Sequence, residues 1–250
     1  MDFFAFPPLA AILDLAYAGL TGLTTLLQPV AGASAAAAAI VLVTLLVRAM
    51  LIPVGIAQAR NEQTHARLAP RLRALQKRHR KDPERLQRET VQLYRDENTS
   101  PLAGFLPILI QAPLVGVLYA VFLHATIAGH PNGLLAHTLL GVPLGAGLAG
   151  SVAAGTADVA TWIVFGAVVL LIAAVGEVTR RVLRPAVPVA DGDSLPAGPL
   201  RLLGVLQFAT AVVAMFVPLA AGLYLVVTVA WTLVQRVILR RRYPLLVTSG

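Results

Sequence analysis

Apolar stretches long enough to cross a bilayer dominate the chain, and shorter polar segments separate them. A hydrocarbon layer about 30 Å thick needs about 20 apolar residues in helical form. Four stretches approach or exceed that length: residues 34–58, 99–124, 159–179 and 202–240. The last is nearly twice too long for one crossing, and Pro218 and Gly222 interrupt it near its middle. We therefore predict two spans there, 202–218 and 219–240, joined by a tight turn. The pattern predicts an all-α polytopic membrane protein with five transmembrane helices.

Two further segments carry weaker helical signals. Residues 1–33 form a tail on the outer face, and its apolar part, 8–28, fits an interfacial helix. Residues 125–158 include an apolar run at 134–157, but the five glycines of that run and Pro143 disfavour a helix. We interpret 125–158 as an outer loop that lies on the membrane surface or dips into it. A sixth transmembrane span at 134–157 is the alternative.

The placement of basic residues indicates the orientation in the membrane. Only 13% of the 250 residues are charged, against roughly 25% in soluble domains. Residues 1–47 and 96–179 contain no Lys or Arg, whereas eleven basic residues lie between Arg60 and Arg95, four between Arg180 and Arg201, and four between Arg236 and Arg242. Basic loops stay on the cytoplasmic side. The N-terminus is therefore expected outside and the C-terminus in the cytoplasm, which requires an odd number of spans and favours five over six.

No catalytic or metal-binding motif is evident in the sequence. Cysteine is absent, which excludes disulfides and thiolate metal sites. His124, His130 and His137 lie six and seven residues apart around a proline and a glycine, which is typical of surface histidines rather than of a metal site. Neither an HExxH motif, a GxSxG motif nor a phosphate-binding loop occurs. We expect neither enzymatic activity nor a cofactor.

The polar segment 59–98 has the pattern of two short helices. Leucines recur in it at helical spacing: Leu68, Leu72, Leu75, Leu86 and Leu93. Between the two groups of leucines, Asp82 precedes Pro83 and Glu84. An N-cap residue, a proline at the first helical position and an acid in the first turn together mark a helix start. The segment is predicted to be a cytoplasmic helical hairpin, closed by a thin leucine seam.

The same hairpin carries eleven of the twenty basic residues. We assign partner contacts to six of them: Arg71, Arg73, Lys77, Arg78, Arg80 and Lys81. One interpretation is contact with anionic lipid headgroups, which contributes about 1 kcal/mol per basic residue near the surface. The other is a specific contact with a protein or with the ribosome, and the two are compatible.

Arg48 stands alone in the otherwise apolar first span. It precedes Arg60 by twelve residues, which places it about 18 Å along a helix axis from the cytoplasmic end and near mid-bilayer. A charge facing lipid there costs roughly 2.5–3.5 kcal/mol on insertion scales. No acid shares its span, and Asp158 and Glu177 are expected near the membrane surfaces. We infer that Arg48 faces water rather than a buried partner.

Other polar residues inside the predicted spans are candidates for the same site: Gln111, Gln207, Thr228, Thr232 and Gln235. Each of them also fits a role in hydrogen bonding between helices. Gln111 is the best candidate for the site, because it lies between Pro107 and Pro113, where missing backbone donors loosen the helix.

Several of these features together resemble one known family. An arginine in the first span precedes a hairpin with the motifs LAP, KDPE and QLY, and then the sequence NTSPLAGFLPILIQAPLVGVLYAVF. Near its end the chain reads PLAAGLYLVVTVAWTLVQRVILRR, which is similar to the family's last span. Over 34–124 and 159–240 the chain resembles the YidC/Oxa/Alb family of membrane protein insertases. Leu225 departs from the family pattern, in which an aromatic residue often follows the tyrosine.

The resemblance implies a function and a site. It implies five spans around a hydrophilic groove that opens to the cytoplasm and to lipid and is closed to the outside. The groove would admit polar segments of newly made membrane proteins and release apolar segments into lipid, without ATP. The short outer tail is typical of the compact Gram-positive-type form in the bacterial plasma membrane. Implied partners are nascent membrane proteins and the lipid bilayer, with the Sec translocon and the ribosome as further candidates and no small-molecule substrate.

A small secondary transporter is the alternative function. In a small secondary transporter, Arg48 would bind an anionic solute; such folds usually show repeats and discontinuous helices, and no repeat is evident here. An intramembrane enzyme would need a nucleophile and a base at workable spacing, which the sequence lacks.

Overall fold

The computed structural model describes residues 7–97, 99, 106–127, 129–182 and 208–243. Within these residues the protein is an all-α membrane protein. The helices are α1 Pro7–Ala31, α2 Ala35–Met50, α3 Ile52–Arg78, α4 Pro83–Asp96, α5 Leu106–Leu123, α6 Leu148–Ala153, α7 Val159–Val182, α8 Ala209–Val213 and α9 Leu219–Arg242. Three described helical stretches are long and apolar enough to cross a membrane: Ala10–Met50, Val159–Val182 and Leu219–Arg242.

The chain forms two compact units. The first, called the core unit here, combines Met1–Ala49 with Val115–Val234. The second, called the hairpin unit, combines Met50–Leu114 with Gln235–Gly250. The chain therefore passes between the units within α5 and α9, and close to the junction of α2 and α3.

The helical stretch formed by α1 and α2 is interrupted at a glycine. At 41 residues, the stretch would be about 60 Å long if straight, about twice the thickness of a hydrocarbon layer. Gly32 begins a short 3₁₀ turn, Gly32–Ser34, with φ of +53°, a conformation that favours glycine because it has no Cβ. The segment 8–28 falls within α1, and its interfacial location stays a prediction.

The first predicted span is not a single helix, which corrects the expectation for 34–58. Helix α2 ends at Met50, and α3 begins at Ile52 and continues without interruption to Arg78. Pro53 lies at the start of α3; it has no backbone N–H, and its ring clashes with the carbonyl four residues earlier. The boundary expected between span and hairpin at residue 58 therefore lies inside α3, and the break falls at Leu51 instead.

Small residues let the helices of the core unit pack closely. Ala36 on α2 and Ala220 and Ala221 on α9 are fully buried beside larger residues such as Phe122 and Phe165. A Cβ added at Gly222 of α9 would lie 3.4 Å from Val168 Cγ1 of α7. Close backbone approach of this kind favours helix association in a bilayer, where apolar burial alone supplies little driving force.

The segment predicted as an outer loop, 125–158, has no helix of membrane-spanning length between residues 134 and 157. Two short antiparallel ladders pair Thr126–Ile127 with His130–Pro131 and Thr138–Leu139 with Val142–Pro143, and a 3₁₀ turn, Gly133–Ala136, lies between them. Helix α6 follows and is only six residues long. This arrangement is the one that the loop interpretation requires.

Hydrogen bonds tie this loop to the helices of the core unit. The Asn132 side chain donates to the carbonyls of Val121 and His124, at 2.7 and 2.9 Å, and accepts from the Leu134 amide. Backbone amides at the start of α9 donate to the loop, Leu219 to Ala146 and Ala220 to Leu144. The loop is thus a packed part of the core unit, with Leu134 and Leu144 fully buried.

Helices α3 and α4 form the expected hairpin inside the hairpin unit. The Asp82 carboxylate accepts from the Arg85 amide at 3.0 Å, which confirms the N-cap predicted from sequence. Leu68 and Tyr94 are buried at the base of the hairpin, and the remaining seam leucines are half-buried: Leu72, Leu75, Leu86 and Leu93. The Arg67–Glu97 and His79–Glu89 contacts show that the arms run antiparallel.

Several predictions fall outside the described residues. These are Gln207, most of the predicted fourth span at 202–218, most of the predicted cytoplasmic loop at 180–201, and Pro101 and Gly104 of the motif that begins NTSPLAG. The described end of the fourth span contains α8, and α9 begins directly after Pro218.

Candidate functional site

Arg48 lies on the inward face of α2. Ile40, Thr44 and Arg48 follow one another at intervals of four residues, and their exposed fractions are 0%, 1% and 9%. Residues four apart lie on the same side of a helix, so Arg48 shares the face that packs into the core unit. The opposite face carries exposed apolar residues such as Leu46 and Met50. The arginine therefore points away from the face that is suited to lipid.

The guanidinium of Arg48 has no acidic partner among the residues that the structure describes. No ion pair or hydrogen bond joins it to another residue in 7–97, 99, 106–127, 129–182 or 208–243. The hydroxyl of Thr44, one turn earlier, donates a hydrogen bond to the Ile40 carbonyl at 2.6 Å. A charge this enclosed is costly without a partner, so the side chain is suited to receive an anion or ordered water.

Helix α9 contributes buried hydroxyl groups to the same unit. Thr228 Oγ1 and Tyr224 Oη are both buried without a hydrogen-bond partner in the described part of the chain. Thr232 differs, since its hydroxyl donates to the Thr228 carbonyl at 2.8 Å. Of the two threonines proposed from sequence, Thr228 therefore has an unused hydroxyl, whereas that of Thr232 is engaged within its own helix.

Tyr224 was missed as a candidate by the sequence reasoning. Its ring lies in an aromatic cluster, 6.1 Å from the ring of Tyr119 and 5.9 Å from that of Phe122. Its position four residues before Thr228 was the available signal, because that spacing puts both hydroxyls on one face of α9. Buried polar atoms without partners are rare in folded proteins, so this pair marks a place where a polar ligand or water fits.

Two of the three candidate glutamines lie in the described residues, and both belong to the hairpin unit. These are Gln111, on α5, and Gln235, on α9. Gln235 packs against α3, where a Cβ built on Gly55 would lie 1.7 Å from its Nε2 atom. This contact favours the helix-packing interpretation for Gln235. The core unit thus holds Arg48, Thr228 and Thr232, and a single site that includes all the candidates stays a prediction.

The proposed partner-contact residues divide into two groups. Arg71 is paired with Glu97 at 2.5 Å, beside the Arg67–Glu97 pair at 2.7 Å. The other five are exposed and have no ion pair with any described residue: Arg73, Lys77, Arg78, Arg80 and Lys81. They form a strip of unneutralised charge at the end of α3 and in the turn that follows, called the cationic tip here.

The polar groups of the core unit are suited to binding other polar groups. The core unit offers one guanidinium and two hydroxyls whose hydrogen-bonding capacity is unused, and all three groups can donate to carboxylates or to peptide carbonyls. The described residues contain no group of His, Cys, Asp or Glu side chains that could hold a metal ion. Together with the apolar helices, these groups describe an integral membrane protein whose core unit contains buried polar groups without partners among the described residues.

Comparison with known proteins identifies the family. The family model described as "60Kd inner membrane protein" matches residues 26–245, most of the chain. The chain therefore belongs to this family, the YidC/Oxa family, as the sequence motifs indicated.

Individual relatives match over shorter regions. The chain is 43% identical over 83 residues to the membrane protein insertase YidC of Clostridium perfringens, covering 33% of this chain and 35% of that protein. The insertase of Clostridium tetani is 37% identical over 84 residues, covering 34% and 38%. The insertase of Pasteurella multocida is 39% identical over 92 residues, covering 37% and 17%. The matched region thus covers less than two fifths of the length of the clostridial proteins and less than one fifth of the Pasteurella protein.

Proposed function

We propose that the protein is a membrane protein insertase, which moves polar segments of newly made membrane proteins partway across the bilayer. The observation that carries the proposal is Arg48, a buried arginine without an ion pair among the described residues, in a chain of the YidC/Oxa family. A polar segment cannot satisfy its hydrogen bonds in lipid. Groups such as Arg48 and Thr228 would replace water for that segment.

Attraction to Arg48 is the proposed first step. A client carboxylate about 4 Å from the guanidinium gains about 4 kcal/mol at an effective dielectric of about 20, before desolvation is counted. The apolar part of the client then moves sideways into lipid, and the transfer of apolar surface supplies the driving force. The reaction needs no ATP in this scheme. Arg48, Gln111, Gln207, Thr228, Thr232 and Gln235 are the proposed lining of a groove that opens to the cytoplasm.

The hairpin is proposed to meet partners on the cytoplasmic side of a bacterial plasma membrane. This follows from an orientation with the N-terminus outside and the C-terminus inside, as the distribution of basic residues indicates. The residues of the cationic tip form no ion pair with a described acid, so the tip is suited to polyanionic or acidic surfaces. Nascent membrane proteins and anionic lipid are the proposed partners, with the ribosome and the Sec translocon as further candidates.

Reconstituted insertion tests the proposal directly. Purified protein in liposomes is given two clients that differ only in an acidic or a neutral N-terminal tail. Arg48→Ala should lower insertion of the acidic client about tenfold, which corresponds to about 1.4 kcal/mol, and should affect the neutral client much less. Arg48→Lys keeps the charge and should retain most activity. Full insertion of the acidic client by Arg48→Ala would contradict the electrostatic step, and no insertion by the parent protein would contradict the function itself.

A further inference from the structure

The last residues of helix α9 belong to the hairpin unit. The residues Gln235–Gly250 group with the α3–α4 hairpin rather than with the rest of α9. Two side-chain contacts join this end of α9 to α3. Tyr243, directly after α9, stays in register with the helix because its amide donates to the Leu239 carbonyl at 2.7 Å. The end of α9 is thus a regular helical continuation inside the hairpin unit.

The first contact is a close approach at Gly55. A Cβ at this position would lie 1.7 Å from Nε2 and 2.8 Å from Cδ of Gln235. Only glycine leaves room for the carboxamide where it lies, across the backbone of α3. The side chain of alanine would force the flexible end of Gln235 to move.

The second contact lies further along both helices. The Arg60 guanidinium carbon is 5.6 Å from the ring centroid of Tyr243, and its Nη2 donates to the tyrosine hydroxyl at 3.3 Å. An exposed cation–π contact of this type contributes about 0.5–1 kcal/mol. From Gly55 to Arg60 and from Gln235 to Tyr243 the chain advances in the same direction. The two helices therefore run parallel over this stretch.

We propose that residues 235–243 at the end of α9, called the splint here, hold the first arm of the hairpin in place. Tyr243 is a positioning residue, and Gly55 is the point of close approach. Helix α3 needs such a support, because the helical hydrogen-bond ladder is interrupted at Leu51, before Pro53. Within the hairpin unit, the splint fixes the direction of α3, and with it the cationic tip, relative to the end of α9. The functional consequence of the splint rests on the proposed insertase function. The contacts between α9 and α3 do not depend on that function.

Spin-label distances in the full-length protein test the splint. The chain has no native cysteine, so labels can be placed at Val91→Cys on α4 and Ile238→Cys on α9, both exposed positions. In lipid nanodiscs the parent should give one narrow distance distribution. Tyr243→Ala should broaden it, and Tyr243→Phe, which keeps the ring over Arg60, should restore most of the parent width. Gly55→Leu should shift the mean by a few ångströms.

Two controls separate the splint from general destabilisation. Arg88→Ala removes an exposed arginine that contacts Glu84 of its own helix, and it should leave the distribution unchanged. Gly55→Ala should displace only the flexible end of the Gln235 side chain, and it should therefore leave the mean distance close to that of the parent, in contrast to Gly55→Leu. Distributions identical to the parent in both Tyr243→Ala and Gly55→Leu would overturn the proposal.

Insertion assays on the same variants test the positioning role. Tyr243→Ala should lower insertion of acidic and neutral clients by the same factor, because the splint positions the hairpin without selecting charge, and Tyr243→Phe should restore it. Broadened distances with unchanged insertion would overturn the positioning role. Failure of the parent to insert any client would contradict the proposed function, while the spin-label distances would still decide whether the splint exists.

Discussion

Arginines at the base of the hairpin and on the inward face of α2 lie in very different surroundings. In the hairpin unit, Arg67 and Arg71 are more than 60% exposed and pair with Glu97. In the core unit, Arg48 is 9% exposed and has no ion pair within the described ranges. Asn132, a neutral residue of the core unit, donates hydrogen bonds to two carbonyls at the end of α5.

The difference follows from the surroundings of each charge. Water screens the exposed pairs of the hairpin, so each contributes only about 0–1 kcal/mol and can be lost with little consequence. An unpaired charge in a buried site costs several kcal/mol. Charged residues inside membrane segments are rare and usually serve function. Arg48 therefore costs the fold stability that the exposed pairs do not, and this cost is what its proposed role in binding would explain.

The largest expected effect concerns the neutral hydrogen bonds of the core unit. Asn132→Ala should lower the free energy of unfolding by about 3 kcal/mol or more, because it strands the carbonyls of Val121 and His124, at about 1–3 kcal/mol for each buried group. Equilibrium unfolding in detergent micelles measures this. Thr21→Ala, which removes a hydroxyl that bonds only within α1, is the control and should change little. An equal loss in both variants would refute the role of Asn132.

The next effect has the opposite sign. Arg48→Leu should raise the free energy of unfolding by about 1–4 kcal/mol, because it replaces an unpaired buried charge with an apolar side chain. The same variant should insert an acidic client poorly, a trade of function for stability. Unfolding and insertion are measured on one preparation. A destabilised variant would mean that Arg48 is paired, and the contrast between the units would then disappear.

Glu97→Gln should have a smaller effect, confined to the hairpin. It removes the charge that binds both Arg67 and Arg71 and should destabilise the α3–α4 contact by about 1 kcal/mol. Amide hydrogen exchange of α4 reports the change. The difference from the parent should vanish near 1 M salt, where the screening length is about 3 Å. Glu84→Gln, at a more exposed and longer pair with Arg88, is the matched control.

The smallest effect is a pH dependence at the start of α7. Hydrogen bonds from the Thr161 side chain and then its amide hold the pKa of the Asp158 carboxyl below its usual range. The ionised carboxylate therefore stabilises the helix at neutral pH. This contribution is present above the ordinary pKa of about 3.9 and is lost as the pH falls through the lowered value. Asp158→Asn should make thermal unfolding less sensitive to acid; an unchanged acid profile would exclude this contribution.

Local features of this protein could be predicted from local sequence. The Asp82 cap is confirmed, because an N-cap depends on a few adjacent residues. The all-α membrane class and the family are also confirmed, since long apolar runs and dense motifs carry both. The break at Leu51 could have been predicted from Pro53. It was not predicted, because the apolar pattern continues past the end of α2.

Contacts between distant segments could not be predicted in the same way. Gln235 was grouped with Arg48 as a site residue because both are polar and lie in predicted spans. The structure places Gln235 against Gly55, 180 residues earlier in the chain, in the hairpin unit. Tyr224 was overlooked because a tyrosine in an apolar helix normally finds a hydrogen-bond partner when buried. Its lack of one among the described residues depends on how α5 and α9 pack.

The sequence by itself determined the membrane setting, the helical class, the hairpin and the isolation of Arg48 along the chain. These depend on composition, spacing and neighbouring residues, which the chain carries in one dimension. Only the tertiary structure decided that Arg48 lies on a buried face, that Thr232 is engaged while Thr228 and Tyr224 have no partner among the described residues, and that the end of α9 contacts α3. Burial and hydrogen-bond satisfaction depend on which distant segments meet, and helix packing alone determines that.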